Sequence, residues 1–140
     1  MRTMFDLETG DITGEATQSQ RLICDLAGVF ADEEARAALP QDTVVYRVKM
    51  HDKEKEGTKG GLLFGTSFVN PGKVGREYFM TKGHYHAVRD TAEYYFCIAG
   101  RGALILMNEA GECWMEEMRR GTLHYIPRSV AHRLANTGEE

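Results

Sequence analysis

The 140-residue chain sets 17 Lys and Arg against 21 Asp and Glu, a net charge of −4, with 42% hydrophobic and 27% charged residues. Those proportions belong to a globular chain of one-domain size, and the negative balance repels phosphate backbones, which argues against a nucleic-acid partner. No apolar run approaches the roughly 18 residues of a membrane span, and the polar, acidic opening from Met1 to Asp11 reads as neither a secretory nor a transit signal, so a cytoplasmic protein with no membrane partner is expected.

Asp32 to Leu39, closed by Pro40, has an N-cap, acidic residues in its first turn and a stop, which predicts a short peripheral helix. Thr43 to Met50 is β-rich and predicts a strand, followed by a solvated charged loop from His51 to Gly57. Strands are then predicted over 62–69, 76–81, 93–99, 103–107, 112–118 and 122–126. Turn signals separate them: Asn70-Pro71-Gly72, Gly100-Arg101-Gly102, Asn108 to Gly111 and Arg119-Arg120-Gly121. Short strands at regular spacing without helical intervals predict an all-β antiparallel sandwich or barrel. No repeat or linker divides the sequence, so residues 1–140 are read as one domain.

Three of the five histidines are organised. His84 and His86 are two residues apart, which in an extended segment puts both imidazoles on one face. Glu93 follows after the six-residue connector Ala87 to Ala92, and His132 opens the last strand. Three imidazoles and one carboxylate suit a divalent transition metal, Fe(II), Mn(II), Ni(II) or Zn(II), with positions open to a substrate. Cys24, Cys97 and Cys113 are odd in number and lack CxxC spacing, so they are read as packing residues in a reducing compartment. Parity places Tyr95 and Cys97 on the inner face with Glu93, and Lys82 on the outer rim. His51 and His124 are expected to be structural or solvated.

These residues resemble both motifs of the cupin superfamily. The first is matched by His84, His86, Glu93 and Gly100, the second by Gly121, Pro127, His132 and Asn136 in the spacing G-x5-P-x4-H-x3-N. The resemblance implies a double-stranded β-helix, or jelly roll. Ser129 stands where a turn glycine is usual, which is tolerable if that turn needs no positive φ.

The connector between His86 and Glu93 is longer than in cupins at large and resembles that of the cupin-type glucose-6-phosphate isomerases. The segments Gly75 to His86, Ala92-Glu93-Tyr94-Tyr95, Asp25 to Phe30 and Asn70-Pro71-Gly72 carry the same similarity. That resemblance implies a homodimer with one metal per subunit held by His84, His86, Glu93 and His132, Fe(II) being the leading ion. It also implies sugar-phosphate contacts at Ser67, Thr81, Gly83 and Tyr95, and interconversion of glucose 6-phosphate and fructose 6-phosphate. Glu93, the only acid of the motif, is the candidate proton shuttle, but a metal-bound carboxylate is a poor base. Either Glu93 leaves the metal when substrate arrives or the hydrogen crosses as a hydride between the carbons, and the sequence leaves both open. Members usually continue well past the second motif while this sequence stops at Glu140, so weakened turnover is expected. The competing readings are a metal-dependent cupin dioxygenase and a non-catalytic sugar-phosphate-binding cupin.

Overall fold

The computed structural model describes residues 2–139. β1 (Met4–Phe5) and β2 (Ile12–Thr13) pair antiparallel around a turn in which the Asp6 carboxylate accepts from the N–H groups of Glu8 and Thr9. β3 (Thr17–Leu22), β4 (Val44–Asp52) and β5 (Leu63–Val69) make one antiparallel sheet with β4 in the centre. A 3-10 turn, Ile23–Leu26, and the helix α1, Glu33–Ala38, lie between β3 and β4. Asp32 caps α1 by accepting from the Ala35 N–H at 2.8 Å, and the chain leaves the helix at Leu39, extended before Pro40 as a proline requires.

β6 (Lys73–Val74) and β7 (Glu77–Tyr78) form a short hairpin. The remainder contains β8 (Glu93–Phe96), β9 (Arg101–Met107), β10 (Cys113–Arg119), β11 (Leu123–Ile126) and β12 (Ala131–Asn136). These strands build an antiparallel sheet ordered β10-β9-β12 and an antiparallel pair of β8 with β11. This is the all-β jelly-roll architecture that the motifs imply.

The period of two along β9 and β12 decides which side of the sheet each residue serves. Leu104 and Leu106 on β9 turn toward Met118, Ile126 and Val130, with Tyr95, Cys97 and Leu134 packed against them. Ala103 and Ala135 turn the other way, onto Ile23, Leu26, Phe30, Val45 and Val74. The 3-10 turn and α1 therefore cover the outside of the sheet, while the inner side is shared with β8 and β11. Each fully buried leucine or isoleucine contributes about 1.5–3 kcal/mol.

Four local differences from the sequence reading have physical causes. β3 has the polar sequence Thr-Gln-Ser-Gln-Arg-Leu and is mostly exposed, so it carries no alternation; its pairing with β4 makes it a strand. The expected charged loop begins later, because His51 and Asp52 continue β4 opposite Phe64 and Leu63. The predicted strand over 76–81 shrinks to Glu77–Tyr78 because Phe79 and Met80 are both buried in succession, which an alternating strand cannot do; Met80 keeps a single bridge to Ala135. Ser129 adopts φ 59°, so this turn does take the left-handed conformation. For an L-residue that costs about 1–2 kcal/mol.

Candidate metal centre

His84 pairs with His132 in an isolated antiparallel bridge, closed by His84 N–H to His132 O at 3.3 Å and His132 N–H to His84 O at 3.1 Å. The segment around Gly83 to His86 belongs to no strand beyond the bridge at His84, and both imidazoles nonetheless converge with that of His132. Ring centroids are 4.7 Å apart for His84 and His132, 5.1 Å for His86 and His132, and 6.0 Å for His84 and His86. One ring nitrogen from each lies within 4.8 Å of the other two. Glu93, the first residue of β8, enters from the facing strand pair: its Oε2 is 2.8 Å from His86 Nε2 and 3.3 Å from His132 Nε2.

The tautomers are set from outside the cluster. His86 Nδ1 lies 3.0 Å from the Thr91 carbonyl and 3.1 Å from Thr91 Oγ1, whose own proton goes to the Val88 carbonyl. A carbonyl only accepts, so Nδ1 donates, and Nε2 is the ring nitrogen that points into the cluster. His132 Nδ1 faces the Val130 carbonyl at 3.5 Å, and its buried Nε2 has no hydrogen-bond partner among the described residues. A buried ring nitrogen without a hydrogen-bond partner, 3.3 Å from a carboxylate oxygen, is an arrangement that a bound cation satisfies. The three imidazoles and Glu93 therefore fit a divalent metal by donor chemistry as well as by convergence.

Burial lowers the affinity of His84 for a proton, and the positive forms of His132 and His86 beside it add to the effect, so its pKa sits below the usual imidazole value. Burial by itself raises the Glu93 carboxyl, but interaction with the His132 and His86 imidazoles outweighs it and holds Glu93 below the ordinary carboxylate range. Only Oε2 of Glu93 is engaged; Oε1 makes no hydrogen bond to a described residue.

Tyr95 stands edge-on to His132 with centroids 5.4 Å apart, inside the sheet as parity requires. Burial, and then the charge of Glu93, push its phenol well above the usual value. Its hydroxyl has no hydrogen-bond partner among the described residues and is available to a ligand. Thr81 is tied to β12, its N–H donating to Leu134 O at 2.8 Å and its Oγ1 accepting from Leu134 N–H at 3.0 Å, which leaves the hydroxyl proton to give. Gly83 lies against the Arg133 guanidinium: a Cβ there would come within 2.8 Å of Arg133 Nε, a contact the flexible arginine can relieve by shifting. Ser67 sits on β5 opposite Val48, and no hydrogen bond joins it to the histidines among the described residues. Lys82 is exposed, and burial pushes the Cys97 thiol up, in keeping with a space-filling role.

His51 Nδ1 meets the Glu15 carbonyl at 2.6 Å at the end of β4, a structural contact. His124 is buried on β11 with both ring nitrogens engaged, to Glu116 and Thr122, and the sequence reading did not find this network. The alternation of β11, with Leu123 and Tyr125 outward and His124 and Ile126 inward, was the available signal. Thr91, which orients His86, lies in a connector where no periodicity marks it.

Comparison with known proteins follows the same lines. A family model described as glucose-6-phosphate isomerase matches residues 20–140. The glucose-6-phosphate isomerase of Thermococcus onnurineus is 47% identical over 137 residues, covering 97% of this chain and 71% of that protein. Its counterpart in Pyrococcus furiosus is 43% identical, with 96% and 71% covered. One in Sinorhizobium medicae is 38% identical, with 96% and 64% covered. Among solved structures, Bacillus subtilis oxalate decarboxylase, a protein with Mn(II) centres, superposes with a TM-score of 0.55 at 21% identity. The match covers 74% of this chain and 26% of that one, so this chain spans about a quarter of the decarboxylase, and the likeness establishes the cupin fold.

Proposed function

Because the chain belongs to the glucose-6-phosphate isomerase family, we propose that it interconverts glucose 6-phosphate and fructose 6-phosphate at the cluster of His84, His86, Glu93 and His132. The observation that carries this reading is the division of labour on Glu93: Oε2 faces two imidazole nitrogens while Oε1 stays unengaged. His84, His86, Glu93 and His132 would hold a divalent metal, Fe(II) first and Mn, Ni or Zn as alternatives, which when bound would supply Lewis acidity to the open-chain sugar.

Isomerisation in the aldose-to-ketose direction removes the proton from C2 and returns one to C1, while the proton of the C2 hydroxyl passes to the former carbonyl oxygen on C1. Glu93 is assigned as the shuttle, taking the C2 proton on Oε1 and giving it to C1 while Oε2 keeps the carboxylate oriented. Its depressed pKa keeps it ionised and ready to accept, at the expense of basicity. The free hydroxyl of Tyr95 is placed against the sugar. The Thr81 hydroxyl, the Gly83 N–H and, from β5, Ser67 are assigned to the phosphate. His132 is anchored on β12 opposite Leu106. Residues 1–140 are proposed to act as one domain in a cytoplasmic homodimer.

A coupled assay on metal-loaded protein tests the reading. Metal-dependent equilibration of the two hexose phosphates, with none for glucose or fructose, is expected. Binding of hexose phosphate without equilibration would replace this reading with a sugar-phosphate-binding cupin, and oxygen uptake without isomerisation would replace it with a dioxygenase.

A further inference from the structure

His124 occupies the inner face of β11, 6% exposed, as the Cα partner of Tyr95 on β8. Side chains of directly opposed residues in an antiparallel pair share a face with Cβ atoms about 4.5–5.5 Å apart. The His124 ring is held at both ends. Nδ1 meets Glu116 Oε2 at 2.5 Å, and Nε2 meets Thr122 Oγ1 at 2.8 Å. Glu116 belongs to β10, opposite Leu104 of β9, so its bond to His124 crosses from the β10-β9-β12 sheet to the β8-β11 pair. Thr122 is fixed in turn: its Oγ1 donates to the Arg119 carbonyl at 2.8 Å and accepts from the Arg119 N–H at 3.2 Å, and its carbonyl accepts from the Cys97 N–H at 3.0 Å.

Glu116, His124 and Thr122 thus form one hydrogen-bonded group directly across the strand pair from Tyr95, and Tyr95 lies edge-on to His132 of the metal cluster. A buried histidine with both nitrogens committed has no proton donor or acceptor left for a substrate. What it can do is hold its neighbour.

We infer that His124, clamped between Glu116 and Thr122, is a positioning residue that fixes the Tyr95 ring against the substrate side of the metal cluster. The clamp spans the two layers beside Tyr95, where apolar packing alone would let a phenol slide along its neighbours. The kinetic consequence rests on the isomerase reading; the placement of Tyr95 does not.

Two variants keep the test independent of a folding failure: His124→Asn, which loses one end of the clamp, and Glu116→Gln, which keeps the shape and removes the carboxylate. In protein labelled with 13C-tyrosine, the Tyr95 ring signal, identified by its loss in Tyr95→Phe, is expected to move in both variants while metal content stays at the wild-type level. The KM for hexose phosphate is expected to rise about tenfold in His124→Asn with kcat changed less. On the Tyr95→Phe background the same substitution should add less than about twofold, since residues acting through one another are not additive. A Tyr95 signal that stays in place in both variants, or effects of His124→Asn and Tyr95→Phe that multiply in full, would overturn the inference. A Tyr95 signal that moves in both variants, when the wild-type protein itself shows no turnover, would remove the isomerase reading and leave the positioning role standing.

Discussion

His86 donates from Nδ1 to the carbonyl of Thr91, five residues further along the chain, at 3.0 Å. That bond gives the long connector before Glu93 a purpose. The chain turns back over the imidazole, occupies its outer nitrogen, and leaves Nε2 to face Glu93 at 2.8 Å. A shorter connector would deliver Glu93 without supplying the outer acceptor.

Thr91→Ala keeps the carbonyl but removes the hydroxyl that touches Nδ1 and ties the connector to Val88. Metal affinity is expected to fall about tenfold, at the lower end of the effect of losing a partner outside the ligand set. Chelator competition checks this, and an unchanged affinity would remove the connector from the site's design.

His84→Ala and His132→Ala each delete one of the three converging imidazoles. Wild-type protein is expected to hold about one metal per chain and both variants to lose metal to a chelator that the wild type withstands, since one of four donors is gone. Elemental analysis after dialysis decides it. Wild-type protein that rejects Fe, Mn, Ni and Zn alike would refute the centre.

Glu93→Gln separates ligand from shuttle. If Glu93 moves the proton, loading the variant with excess metal restores occupancy but leaves kcat lower by about 10²–10⁴-fold. Recovery of the rate with metal would reduce Glu93 to a ligand. Deuterium placed at C2 should wash out into light water during turnover, whereas full retention would point to a hydride shift between the carbons.

Acid sensitivity of metal-stripped protein follows from the two depressed groups. His84 has a folded pKa below its ordinary 6.5, so its neutral form stabilises the fold fully above that value, and the contribution is lost as pH falls through the folded value. Glu93, depressed below 4.5, behaves with the same sign in a lower window. Thermal melts of stripped protein should decline from about pH 6.5 downward. In Glu93→Gln, the further decline below about pH 4.5 should be shallower.

Ser129 at φ 59° is strained where glycine would not be. Ser129→Gly relieves about 1–2 kcal/mol of left-handed strain and gives back about 0.4–1 kcal/mol to the freer unfolded chain. A net stabilisation of about 0–1.6 kcal/mol, the difference of those two terms, is expected by denaturant titration. A destabilised variant would mean that the 2.8 Å bond from the Ser129 N–H to the Arg89 carbonyl depends on the serine.

The amino-acid sequence by itself determined the strand-rich class, the helix at Asp32 to Leu39, the inward parity of Glu93, Tyr95 and Cys97, and the set of histidines that converge. Each of these depends on local periodicity or on motif spacing, which neighbouring residues carry. The tertiary structure alone decided that polar Thr17 to Leu22 is a strand, because backbone pairing with β4 rewards no side-chain pattern. It alone decided the left-handed turn at Ser129, and the partners of His86 and His124, Thr91 and Glu116. Those contacts depend on where a connector folds back and on which strands face one another, and a hydrogen bond closed across a barrel leaves no periodic trace in the chain that makes it.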